Sequence, residues 1–121
     1  MTRTPQLWLI ILAMAMTLTA ACSRTGAERK LLANSRDGNL SIVQVLVDRH
    51  HVSPNVTNTD GQTPLMLSAE RGHREIVQFL LVKGADAQIK DRQGRTALSL
   101  AEGAGRAEIA ALLKAPTNKR S

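Results

Sequence analysis

The side chains able to do chemistry in this chain are few: one cysteine, three histidines and a scatter of serines. Cys22 is the only thiol, and a thiolate is the strongest nucleophile the chain can offer. It closes a segment in which Arg3 supplies a positive charge, Thr4 to Cys22 carries none, and LWLIILAMAM forms an apolar stretch. This layout, with small Ala20 and Ala21 before a cleavage point, is that of an export signal. His50 and His51 follow Asp48, but adjacent histidines on a loop do not both reach one ion without further ligands. No HExxH or paired-cysteine spacing is present, so no metal ligand is assigned. His73 lies at a helix start and reads as a structural and capping residue rather than a general base. The glycines of GAGRAE, residues 103 to 108, lack the strand and the lysine of a phosphate loop. Ser41, Ser68 and Ser99 have no histidine or carboxylate at a fixed partner spacing. No catalytic residue is assigned, and the chain reads as non-enzymatic, without cofactor or small-molecule substrate.

The elements that hold these residues are clearest between Asn58 and Ala87, NTDGQTPLMLSAERGHREIVQFLLVKGADA. Asp60-Gly61 is a turn dipeptide, Thr63 offers a capping hydroxyl, and Pro64 suits the first helical position, where its missing N–H costs nothing. Leu65, Leu67 and Ala69 supply the apolar content of a short helix that Gly72 ends in a left-handed conformation. A second helix follows, with Ile76, Val77, Leu80 and Leu81 building one apolar face and Gly84 at its end.

The same plan recurs on both sides. Gly94, Thr96, Leu98, Gly105, Ile109, Leu112 and Leu113 repeat, at one constant offset, Gly61, Thr63, Leu65, Gly72, Ile76, Phe79 and Leu80. Upstream, Leu31-Leu32 and then Ile42, Val43, Leu46 and Val47 mark another helix pair around Gly38. Here the offset from Ile42-Val43 to Ile76-Val77 is longer by a single position, so an extra residue must lie near His50-His51. TPLM, Ala69, Gly72-His73, Ile76-Val77, Leu80-Leu81 and Gly84-Ala85-Asp86 resemble an ankyrin repeat, and the constant offset matches that family's period of about 33 residues. Met66 departs from it, because the family places there a histidine whose hydrogen bonds tie neighbouring repeats together. The resemblance implies an all-α solenoid of about three helix-turn-helix units with short hairpin connections. Residues 28–115 form the array, in units of about 28–57, 58–90 and 91–115. The first unit lacks a TPL motif, as a terminal cap would. The third is degenerate, with Ala97 for proline, Ser99 for histidine and Gly103 with Gly105 weakening a helix end by about 1 kcal/mol each, and it is expected to be the least stable. Residues 116–121 read as a disordered basic tail after Pro116.

Leu18-Thr19-Ala20-Ala21-Cys22 resembles the lipobox of a bacterial lipoprotein signal, although that family prefers leucine three places before the cysteine and here Thr19 stands there. The resemblance implies removal of residues 1–21, a diacylglycerol on Cys22, acylation of the new amine, and residues 22–27 as a short tether. Ser23, being non-acidic, implies the outer membrane ahead of the inner, with the domain facing the periplasm. The residues alone leave open an ordinary cleaved signal, or an uncleaved anchor of about fifteen residues, Leu7 to Ala21, against the roughly twenty that a span needs. A lipidated Cys22 leaves no thiol for a disulfide, so stability rests on packing. The only aromatics are Trp8 and Phe79, which makes the core aliphatic.

Loss of Arg3 leaves 15 basic residues against 10 acidic ones. Nucleic-acid binding would add stacking aromatics or a reading helix, so the charge points to acidic head groups, an acidic protein or simple solubility. In ankyrin proteins the turn tips and first helices line a concave binding surface. Carried onto this chain, that surface comprises Arg36 and Asp37, then Thr59, Asp60, Gln62, Glu70 and Arg71, then Arg92, Gln93 and Arg95. Arg71, Arg92 and Arg95 suggest a partner carrying carboxylates. The expected function is a lipid-anchored, periplasmic protein-binding module serving as adaptor or accessory. The alternatives are an immunity protein neutralising a secreted toxin, and a structural envelope lipoprotein without a dedicated partner.

Overall fold

A computed structural model describes residues 26–115. The signal segment 1–21, Cys22 and the tail 116–121 lie outside the described residues. Among the described residues there are six helices and no strand. They are α1 (26–37), α2 (Leu40–Asp48), α3 (Pro64–Arg71), α4 (Arg74–Val82), α5 (Ala97–Gly103) and α6 (Ala107–Lys114). Each consecutive pair forms one hairpin. First helices stack on first helices, α3 against α5, while α2, α4 and α6 form a second row. The chain is an all-α repeat solenoid.

α1 already includes Gly26 and Ala27, and Ala27 packs against the core. The helix thus starts two residues ahead of the expected start of the array at Glu28, with Ala27, one turn before Leu31, partly buried against the core.

The middle hairpin follows its sequence signals closely. Thr63 is extended at φ −94° and its hydroxyl accepts the N–H of Met66 at 3.2 Å, with Pro64 opening the helix. Such a cap is worth about 1 kcal/mol. Gly72 ends α3 at φ +84°, where a side chain would be strained. Pro64 to Ala69 are all buried, since α3 is covered by neighbours on both sides as well as by α4. Ser68 satisfies its hydroxyl inside this core by donating to the Pro64 carbonyl at 2.9 Å.

Unit three begins more firmly than its sequence suggests. Thr96 and Ser99 form a reciprocal capping box, in which Ser99 Oγ accepts the Thr96 N–H at 2.8 Å and Thr96 Oγ1 accepts the Ser99 N–H at 3.3 Å. The serine in place of the family's histidine therefore strengthens the start of α5. Gly105 takes φ +75° beyond the helix, so it is well placed, and Gly103 costs only the last residue of α5.

Unit one differs at its outer face. Ile42 is 45% exposed although its counterpart Ile76 is 1% exposed. Val43, Leu46 and Val47 are buried as expected. Ile42 stays exposed because, among the described residues, no preceding unit lies against it.

The change of period is visible in the hydrogen bonds. Before the loop, the bond from Asn39 N–H to the Asn34 carbonyl answers, at the longer offset, to that from His73 N–H to the Ser68 carbonyl. Beyond the loop, the bond from Asn58 N–H to the Gln62 carbonyl answers, at the regular period, to that from Asp91 N–H to the Arg95 carbonyl. The extra residue is absorbed in the loop containing His50 and His51. His51 adopts φ +52°, the left-handed conformation that Gly84 takes in the next unit, at a cost of roughly 1–2 kcal/mol for a residue with a Cβ.

Met66 is 1% exposed and contributes packing. The ties between units are made elsewhere. His73 Nε2 lies 2.8 Å from the Arg36 carbonyl; a carbonyl only accepts, so this nitrogen carries the hydrogen. His73 thus bridges units one and two and does not cap α4 with its side chain. Arg106, at the same place one unit on, donates from Nε to the Glu70 carbonyl at 3.3 Å. These side chains sit over Gly38 and Gly72: a Cβ on Gly38 would come within 2.7 Å of the His73 ring, and one on Gly72 within 3.0 Å of the Arg106 guanidinium. Asn55 adds a second bridge, accepting the Asp86 N–H at 2.7 Å.

Candidate protein-binding surface

Two hairpin turns present the tips of the array, and both are built on one device. Asn58 Oδ1 accepts the N–H groups of Asp60 and Gln62, each at 2.9 Å. Asp91 Oδ1 accepts those of Gln93 and Arg95, again at 2.9 Å. A side-chain oxygen bonded to the backbone two residues on fixes each turn locally. The turns are then joined, with Arg92 N–H donating to the Asp60 carbonyl at 3.0 Å.

Beyond the shared frame the two turns diverge. Asn58 Nδ2 donates to Gln62 Oε1 at 3.1 Å, a neutral pair. In the other turn the same positions form an ion pair, Arg95 Nε and Nη2 meeting Asp91 Oδ2 at 3.0 and 2.9 Å. Asp91 is buried, and its carboxyl is held below the ordinary value, first by the Arg95 N–H and then by the Arg95 guanidinium and the Gln93 N–H, against the opposing effect of burial. Arg95 is therefore engaged within its own turn. Gln62, half-buried and bonded to Asn58, is likewise partly committed to structure.

Arg36, Asp60, Gln62, Glu70 and Arg71 converge with Arg29, Leu32, Ala33, Asn58 and Leu67 around an open groove of about 420 Å³ between α1 and α3. Asp37, Thr59, Arg92 and Gln93 are exposed but do not line it, and neither does Arg95. Arg36 Nε meets Asp37 at 3.1 Å. Neither Arg29 nor Arg71 is in an ion pair among the described residues. Sequence reasoning places Leu32 only in the core and misses Arg29. The signal is present: Arg29, Leu32, Ala33 and Arg36 fall at helical spacing on one face of α1. Without a turn motif in front of it, that face has no register to fix it.

His50 and His51 are exposed on their loop, and among the described residues no three metal-binding side chains come together.

A family model described as ankyrin repeats, in three copies, matches residues 31–120. The chain is 49% identical over 59 residues to human NAD-capped RNA hydrolase NUDT12, covering 49% of this chain and 13% of that protein. It is 42% identical over 73 residues to mouse ankyrin repeat and SAM domain-containing protein 6, covering 60% and 8%. A mouse protein fem-1 homolog A-like is 41% identical over 68 residues, covering 56% and 10%. The chain thus spans about a tenth of the length of these relatives, and the match to the hydrolase covers only its ankyrin part. The three-copy match over most of the length, together with three stacked hairpins tied at equivalent positions, means that the chain belongs to the ankyrin-repeat family, whose fold is a protein–protein interaction module and typically a non-enzymatic scaffold.

Proposed function

We propose that this chain is a lipid-anchored adaptor that holds another protein at a bacterial envelope, using the concave face of its first two units. The observation that carries this reading is the groove between α1 and α3, where charged and apolar side chains from two units converge on one open surface. The anchor rests on the residues around Cys22: an uncharged apolar segment, small side chains and a single thiol. Acylation there would give firm attachment with the array facing the periplasm, the outer membrane favoured over the inner by Ser23.

The test is affinity capture by the full chain from envelope extract and from secreted proteins, washed at low and high salt. An adaptor retains one protein near stoichiometrically at high salt. Tight one-to-one inhibition of a captured toxin would instead establish the immunity role. Retention of anionic lipid alone would establish the structural role. For the anchor, Cys22→Ala is expected to leave an uncleaved, unlipidated precursor, and normal processing of that variant would rule the lipobox out.

A further inference from the structure

The groove between α1 and α3 has a chemistry specific enough to describe its occupant. At its floor Leu32 and Leu67, from successive first helices and each 9% exposed, offer a small apolar contact among mostly polar lining residues. Its rim carries three guanidinium groups, on Arg29, Arg36 and Arg71. Arg36 is partly occupied by Asp37. Arg29 and Arg71 are outside any ion pair among the described residues, so their planar forks are available to bind a carboxylate through two parallel hydrogen bonds. The groove also contains the carboxylates of Asp60 and Glu70, which would accept the backbone N–H groups of an extended segment. The corresponding wall in unit three is bare: Gly103 and Ala104 stand where unit two has Glu70 and Arg71, and Arg95 is held by Asp91.

We infer that the groove between α1 and α3 takes an extended acidic segment of a partner protein, with an aliphatic side chain seated on Leu32 and Leu67 and flanking carboxylates bound by Arg29 and Arg71. This rests on the binding-module reading and adds the chemistry and the address of the partner. A basic segment would meet three guanidinium groups against two carboxylates, with like charges desolvated at close range. Rim charges mainly set the rate and selectivity of encounter, while the apolar seat sets residence time.

The probe is a displayed library of random peptides panned on the full chain in detergent, in parallel on Arg29→Glu, Arg71→Glu and Arg92→Glu, each first shown to keep its helical circular dichroism. Peptides enriched on the unaltered chain are expected to carry two or more carboxylates around a leucine, isoleucine or valine. Their binding should fall at least tenfold on Arg29→Glu and on Arg71→Glu, and by less than threefold on Arg92→Glu. Enrichment of basic or uncharged peptides, equal loss on all three variants, or no enrichment at all would overturn the inference. Protein capture indifferent to Arg29→Glu and Arg71→Glu would overturn it while leaving the module standing, whereas capture of nothing would remove the module reading itself. Binding of phosphatidylglycerol vesicles lost on Arg29→Glu and Arg71→Glu, with no acidic peptide enriched, would assign the guanidinium groups to a membrane surface instead.

Discussion

The turn at 58–62 and the turn at 91–95 trace the same path one repeat apart, yet they leave different surfaces for a partner. The first closes its frame with a neutral contact between Asn58 and Gln62, and the groove beside it retains Arg29 and Arg71. The second closes the same frame with Asp91 and Arg95, consuming a buried carboxylate and a guanidinium in its own support. One repeat plan thus leaves Arg29 and Arg71 outside any ion pair among the described residues at one end, and holds Arg95 within its own turn at the other. A charged residue at a family's variable position is available to a partner only if its own turn has not already claimed it.

The largest expected contrast lies in the cores of the two units. Leu65→Ala, fully buried in the helix covered on both sides, should cost roughly 3 kcal/mol in denaturant unfolding, within the range for buried leucines. Leu98→Ala, its counterpart at the partly buried end, should cost nearer about 1 kcal/mol. Equal costs would mean that the middle unit is not the keystone of the stack. Next come the caps. Thr63→Ala and Thr96→Ala should each lose about 1 kcal/mol, because both hydroxyls accept a first-turn N–H. Ser99→Ala should add a further few tenths to the loss in unit three alone, since only there does the box close from both sides.

A smaller change of opposite sign is expected at Ser35. Its hydroxyl is fully buried with no partner, whereas the equivalent position in unit two is Ala69. Ser35→Ala should therefore raise stability, by up to about 1 kcal/mol, as removal of an unsatisfied buried polar group does. Asp91→Asn is read in the shape of the pH profile rather than at one pH. Asparagine can hold the turn as Asn58 does, so the fold should persist, but the pH profile should change. The folded carboxyl titrates below its unfolded value, so its stabilisation is present above the unfolded value and lost as pH falls through the folded one. In Asp91→Asn that portion of the acid-side decline should vanish. An unchanged acid limb in urea titrations would mean that the pair is not coupled to folding.

Much of the fold is legible in the sequence because each unit carries its own local signals. Thr63-Pro64, Gly72 and the apolar face of Ile76, Val77 and Leu80 act within a few residues of themselves, and each sits where those signals put it. The exposure of Ile42 is not legible, because it depends on whether a neighbouring unit exists, which periodicity alone does not reveal. The bridging role of His73 is hidden for a similar reason: its partner is the carbonyl of Arg36 in the preceding unit, and a carbonyl leaves no trace in residue identity. At the candidate site, repeat register places Arg36, Asp60, Gln62, Glu70 and Arg71, and these do converge. Arg95 is not separable from them in sequence, because its pairing with Asp91 is set by the geometry of the turn.

The most direct measurement is hydrogen exchange of the full chain with and without its captured partner. Slowed exchange confined to the amides of α1, the 58–62 turn and α3, with those of α4 and α6 unchanged, is the predicted result. Protection centred on α2, α4 and α6 would place the binding face on the opposite side of the array and contradict the account.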